Sequence, residues 1–153
     1  MKFKTLAAAA LTVSAALMGV SASADTLKFG KPEDAIKYRQ NALFLMSQHF
    51  GSLGAMANGR APFNAELAQQ NGAVLQTLAA LPWQAFGAGT EGGKSKPEAW
   101  AEKAKFDAHA NKFVAEASKL AAAAKTGDVA QLKAAFGPAA QTCKACHDAF
   151  RNR

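Results

Sequence analysis

The chain has 153 residues, 50% of them hydrophobic, and a formal net charge of +7 at pH 7. That length suits one domain with a single core. The lysines (Lys28, Lys31, Lys37, Lys94, Lys103, Lys119, Lys133) are spread out, and no dense basic run is interleaved with aromatics, so nucleic acid is not an expected partner.

Met1 to Ala24 carry Lys2 and Lys4, an apolar stretch from Leu6 to Val20, and then Ala22-Ser23-Ala24. A charged start, an apolar middle and an A-x-A site predict a secretory signal peptide over residues 1–24, cleaved between Ala24 and Asp25. The stretch is shorter than the ~20 apolar residues of a membrane span and ends in small polar residues. Nothing later in the chain approaches spanning length. Residues 25–153 are the expected mature domain.

Beyond Ala24 alanine is abundant, valine and isoleucine are few, and no stretch alternates apolar and polar residues over a strand length. The expected class is all-α. Pro32, Glu33 and Asp34 suit a helix N-terminus. Ile36, Leu43, Phe50 and Ala57, with Met46 and Leu53 between them, make a seam that ends at Asn58-Gly59. Residues 62–64 start a second helix with Leu67, Val74, Leu75, Leu78 and Leu81 as its stripe, and Pro82 ends it.

Residues 83–97 form a glycine-rich connection of about 15 residues, long for a bundle loop. Trp83 and Phe86 at its start are too apolar to be merely solvated, and are expected to cover a cofactor or the bundle end. Pro97 and Glu98 open a third helix, with Trp100, Phe106, Phe113 and Leu120 facing inward. Thr126-Gly127-Asp128 turns the chain. A fourth helix follows, with Val129, Leu132, Phe136, Cys143, Cys146 and Phe150 on one seam and a kink expected at Pro138. Short first and third connections make antiparallel neighbours, hence an antiparallel four-helix bundle.

The fourth helix carries Cys143-Lys144-Ala145-Cys146-His147, a Cys-x-x-Cys-His run that reads as a covalent attachment site for a c-type haem. Two thiols three positions apart share a helix face and can add to the two vinyl groups on one porphyrin edge. The next residue brings its imidazole to the iron as proximal ligand. A zinc site would need four ligands, and the chain has only two cysteines and three histidines. A thioredoxin-like site would need a βαβ context. Both cysteines fall on inward positions, so the expected haem is inserted into the bundle. His147 lies one residue off the seam, with one side toward solvent. Arg151 follows four residues later on the same face, either beside the proximal ligand or as an exposed last-turn arginine.

The other side of the iron separates two readings. A low-spin electron carrier needs a sixth ligand, and Met46, Met56, His49 and His109 are the candidates. The methionines suit core packing and the histidines flank the seams. An apolar Leu43 is as well placed as either methionine, and spacing alone does not choose. A peroxidase-like enzyme lacks support, because no distal His/Arg pair stands at helical spacing near Leu43.

The segment Pro32 to Leu43, the run Leu81 to Gly87, and Cys143 to Arg151 together resemble the cytochrome c′ family, in order and across essentially the whole mature chain. Attachment near the C-terminus is specific to that pattern, since small c-type cytochromes usually carry it near the N-terminus. The resemblance implies a periplasmic four-helix bundle, usually a homodimer, with one covalent haem c that is five-coordinate and high-spin. Cys143 and Cys146 match the thioether anchors, and His147 the proximal ligand. Arg39 and Gln40 match residues at the haem propionates, Leu43 the apolar residue that blocks the distal face, and Arg151 the basic residue beside the proximal histidine. Phe150 stands where relatives often have tyrosine, and Pro138 is not implied by the family.

The function so implied is binding of NO and CO with exchange of electrons, without enzyme activity, alongside an unidentified periplasmic redox partner. The alternative is a low-spin electron-transfer cytochrome with a Met or His sixth ligand. Phe44, Leu45 and Met56 on the first helix are the expected apolar surplus for a twofold mate.

Overall fold

Helix α1 (Pro32–Ala57) opens on a proline, with Glu33 and Asp34 in its first turn, as the N-terminal end of a helix dipole favours. The computed structural model describes residues 27–152, so the expected signal peptide lies outside the described residues. Helix α2 (Ala65–Ala79) is capped by Asn64, whose side chain accepts from the Leu67 amide at 2.9 Å. A 3₁₀ turn follows at Pro82–Ala85. The expected third helix is divided into α3 (Glu98–Ala101) and α4 (Lys103–Lys125), with Glu102 at φ −107°, ψ 45° between them. At the expected turn Gly127 has φ +70°, a conformation glycine takes at no steric cost. Asp128 then caps α5 (Val129–Phe150), accepting from Ala130 N at 2.7 Å. Helix α5 continues through Pro138.

Helices α1, α2, α4 and α5 form a closed ring in which α1 packs on α2 and α5, and α4 packs on α2 and α5. The main core holds Met46, Leu53, Met56, Leu75, Phe113, Leu120 and Leu132, fully or nearly fully buried. Small residues set the closest approaches. A Cβ built at Gly54 would lie 2.8 Å from Cε2 of Phe136, and one at Gly72 would lie 2.9 Å from the Ala124 Cβ.

Three expected core positions are corrected. Leu67, Val74 and Val129 are exposed, and α2 buries Ala68, Asn71, Gly72, Leu75 and Ala79 instead. Close packing of α2 on α4 through small side chains leaves Leu67 and Val74 at the rim, and Val129 is exposed as the first residue of α5. Met56, read from the sequence both as core packing and as part of the outer apolar surplus, is buried at 3% exposure, which bears out the first reading and removes it from the second.

Candidate haem-binding site

Helix α5 turns Cys143 and Cys146 toward the bundle. Cys143 packs against the main core, as do Leu43, Phe50 and Trp83. Cys146 packs against a second apolar cluster built from Phe86, Ala99, Phe106 and Phe150, with Trp83 and Trp100 at its margin. Trp83 touches both clusters and meets Phe86, Phe106 and Phe113 with ring centroids 6.0–6.3 Å apart. Its indole N–H donates to the Ala79 carbonyl at 2.6 Å, which fixes the ring. Trp83 and Phe86 thus share the apolar clusters against which the two cysteines pack.

Both thiols are free. Burial pushes Cys143 up to about 11, with the neighbouring Cys146 adding to it, and burial also raises Cys146. Two neutral, half-buried thiols on one apolar helix face fit covalent attachment of a large apolar ring. No metal-binding cluster of three or more His, Cys, Asp or Glu occurs among the described residues.

His147 lies on the outer side of the same turn, in a cleft of about 650 Å³ lined also by Lys94, Lys96, Lys144, Asp148, Arg151 and Asn152. Partial burial lowers its pKa first, and the Arg151 charge lowers it further, against an opposing effect of Asp148. A neutral imidazole is the form that binds a metal ion. Arg151 ends the helix, its amide donating to the His147 carbonyl at 3.1 Å.

The 92–97 stretch straps this turn. Lys96 N donates to Phe150 O at 2.9 Å, Asn152 N to Lys94 O at 2.9 Å, and Lys96 Nζ to Asp148 O and Ala149 O at 2.9 and 3.2 Å. A cation on the last carbonyls of a helix offsets its dipole. This strap was not legible in the sequence, because nothing local links residue 96 to residue 149.

Arg39 is buried, at 2% exposure. Its Nη1 donates to Ala85 O at 2.8 Å and Thr90 O at 2.7 Å, and its Nη2 donates to Gly92 O at 3.0 Å. The guanidinium lies 4.5 Å from the Phe86 centroid and 5.0 Å from that of Trp100. Burial lowers its pKa, while Glu91 opposes the shift. Arg39 therefore holds the 85–92 connection onto α1, a role that the reading as a propionate contact did not include. Gln40 is exposed beside this connection, and a Cβ at Gly93 would meet its Nε2 at 2.9 Å.

The sixth-ligand candidates are all packed or bonded, and Met46 shares the core that Cys143 and Leu43 meet. Met46 and Met56 are buried in the main core. His49 Nδ1 bonds Asn71 Oδ1 at 2.7 Å, and the His109 ring stands edge-on to Phe150 at 5.5 Å.

No helix among the described residues is long and apolar enough to cross a membrane. A family model for cytochrome c′ matches residues 34–151. The chain is 51% identical over 126 residues to cytochrome c′ of Alcaligenes xylosoxydans xylosoxydans, an alignment covering 82% of this chain and 99% of that protein. It is similar to the solved cytochrome c′ of Rubrivivax gelatinosus, with TM-score 0.79 and 51% identity over 82% of this chain and all of the other. The ferrous, NO-bound form of an arginine-to-lysine variant of the Alcaligenes xylosoxidans protein has TM-score 0.79 and 50% identity, over 82% of this chain and 99% of that one. The chain accordingly belongs to the cytochrome c′ family, whose cofactor is a covalently attached c-type haem.

Proposed function

We propose that this chain is an exported haem protein that binds NO and CO at a five-coordinate iron and exchanges electrons through the same haem. Cys143 and Cys146 are the thioether anchors and His147 is the proximal ligand. Residues 1–24 direct export to the periplasm and are removed there. The observation that carries the reading is the placing of Cys143 and Cys146 in two adjoining apolar clusters on one side of α5, with His147 at an open cleft; Leu43 and Met46 both belong with the core that Cys143 meets, and the choice of Leu43 over Met46 rests on the family resemblance. NO bound to a close relative supports the choice of ligand.

The haem, when bound, supplies an iron that takes up diatomic ligands. Everything else is done by the chain. Leu43 offers no ligating atom and no hydrogen bond, so an incoming molecule must displace it from packed surroundings, at about 1–3 kcal/mol. An apolar wall gives no donor to stabilise bound O₂, which favours NO and CO. His147, which would hold the iron, stands at an open cleft with Arg151, so its imidazole is not locked in place by packing and a positive charge lies beside it.

Phe44 and Leu45, 61% and 48% exposed on α1, are the surface proposed to meet a second copy. Titrating the purified ferrous protein with NO, CO and O₂ tests the ligand reading. Saturable binding of NO and CO without a stable O₂ complex is expected, and a stable O₂ complex would overturn it.

A further inference from the structure

The lysines that are scattered in the sequence converge in the fold. Pairing of residues 94–96 with 148–152 brings Lys94 and Lys96 to the end of α5, where Lys144 and Arg151 already stand. The four cations line one cleft with His147, and Asp148, paired with Lys144, is the single carboxylate in that lining. Lys94, Lys96 and Arg151 form no ion pair among the described residues. On α4, Lys103, Lys105 and Lys119 are paired with carboxylates three or four residues away, and Lys112 and Lys125 stand apart from one another, so the cleft is set off by the convergence of its cations on one lining. Lys96 is also held in place by two carbonyl oxygens at the C-terminal end of α5, whose partial negative charge offsets only part of its own.

We propose that this basic cleft, formed by Lys94, Lys96, Lys144 and Arg151 around His147, is the docking surface for an acidic redox protein that exchanges one electron with the haem. The proposal rests on the site reading above. Charge complementarity selects the partner: four cations against one carboxylate leave a net positive field, which attracts an acidic surface, raises the encounter rate and orients the approach. The location supplies the purpose, because His147 is the exposed edge of the proposed iron site. The cations come from two segments and lie open to solvent, with the Lys144 side chain 69% exposed. That breadth suits a protein face rather than one small anion.

The test is stopped-flow reduction of the ferric holoprotein by flavodoxin hydroquinone, a strongly acidic one-electron donor, across a range of ionic strengths. In each turnover the anionic hydroquinone gives one electron to ferric iron, leaving the neutral semiquinone and ferrous iron. Two double variants carry the same net charge: Lys94→Glu with Lys144→Glu in the cleft, and Arg60→Glu with Lys125→Glu at the opposite end of the bundle. Spectra and midpoint potentials of both are measured first, so that a change in driving force is separated from docking.

The expected result is a wild-type rate that falls with salt, about tenfold slower reduction at low salt in the cleft variant, and little change in the control. Amide shifts of ¹⁵N-labelled CO-bound holoprotein with oxidised flavodoxin should concentrate at residues 94–96 and 144–152. Equal losses in the two variants, or no loss in either, would overturn the proposal. So would a cleft effect seen with ferricyanide alone, since that indicates a small-anion site. Absence of a covalent haem spectrum refutes the site reading itself, whereas salt-blind reduction of fully loaded protein refutes only the docking surface.

Discussion

The guanidinium of Arg39 lies 4.5 Å from the centroid of the Phe86 ring, tying α1 to the connection that carries Trp83 and Phe86 to the cysteines. Its two bonded nitrogens satisfy carbonyls of Ala85, Thr90 and Gly92 that no regular secondary structure would pair. Removing the side chain takes the donor from the Thr90 carbonyl, leaves those of Ala85 and Gly92 with the Thr90 hydroxyl and the Ser95 amide alone, and opens the aromatic cluster.

Arg39→Ala should therefore destabilise the holoprotein by about 3 kcal/mol, with Arg39→Lys intermediate because it keeps the charge but loses the fork. Thermal unfolding followed by circular dichroism measures this. An unchanged midpoint in Arg39→Ala would mean that the connection is held by other contacts.

Two glycines of α1 should respond with opposite sign. Gly51 has nothing within 4 Å of a built Cβ, so Gly51→Ala should stabilise by about 0.5–1 kcal/mol through helix propensity. At Gly54 the new methyl would overlap the Phe136 ring, so Gly54→Ala should destabilise by about 1–3 kcal/mol. Adding Phe136→Leu should recover part of the loss, giving a non-additive cycle in denaturant titrations.

Replacing Leu43 by Ala removes the proposed barrier over the iron. The CO association rate, measured by stopped flow, should rise by roughly tenfold or more, as relief of 1–3 kcal/mol implies. An unchanged rate would exclude Leu43 as the distal block.

Phe44→Asp places a charge in the proposed twofold face without touching the core, since Phe44 is 61% exposed. Sedimentation of the holoprotein should show a dimer for the wild type and a monomer for the variant, with the same absorption spectrum. A wild-type monomer at micromolar concentration would remove the dimer.

Much of the bundle was legible because its signals are local. Asn64 and Asp128 cap the helices they precede, Gly127 turns where Thr-Gly-Asp stands, and both cysteines occupy inward positions. Hydropathy misled where small residues do the packing. Leu67 and Val74 look like core, yet α2 meets Ala121 and Ala124 of α4 through Gly72 and buries Leu75 rather than either of them, while Val129 is exposed as the first residue of α5. The break at Glu102 was hidden because Trp100 and Phe106 together sustain a helical pattern across it. Burial of Arg39 and convergence of Lys94 and Lys96 on His147 depend on pairings about 50 residues apart, such as Lys96 with Asp148, and no sequence period carries those.

The central claim is an iron with one protein ligand, His147, and an apolar residue opposite. The absorption spectrum of the purified ferrous holoprotein tests it most directly. A broad Soret band and a featureless visible region of the five-coordinate, high-spin type are the predicted result. Sharp low-spin α and β bands, with a methionine–iron band in the ferric form, would contradict it and assign the sixth position to Met46, Met56 or a histidine.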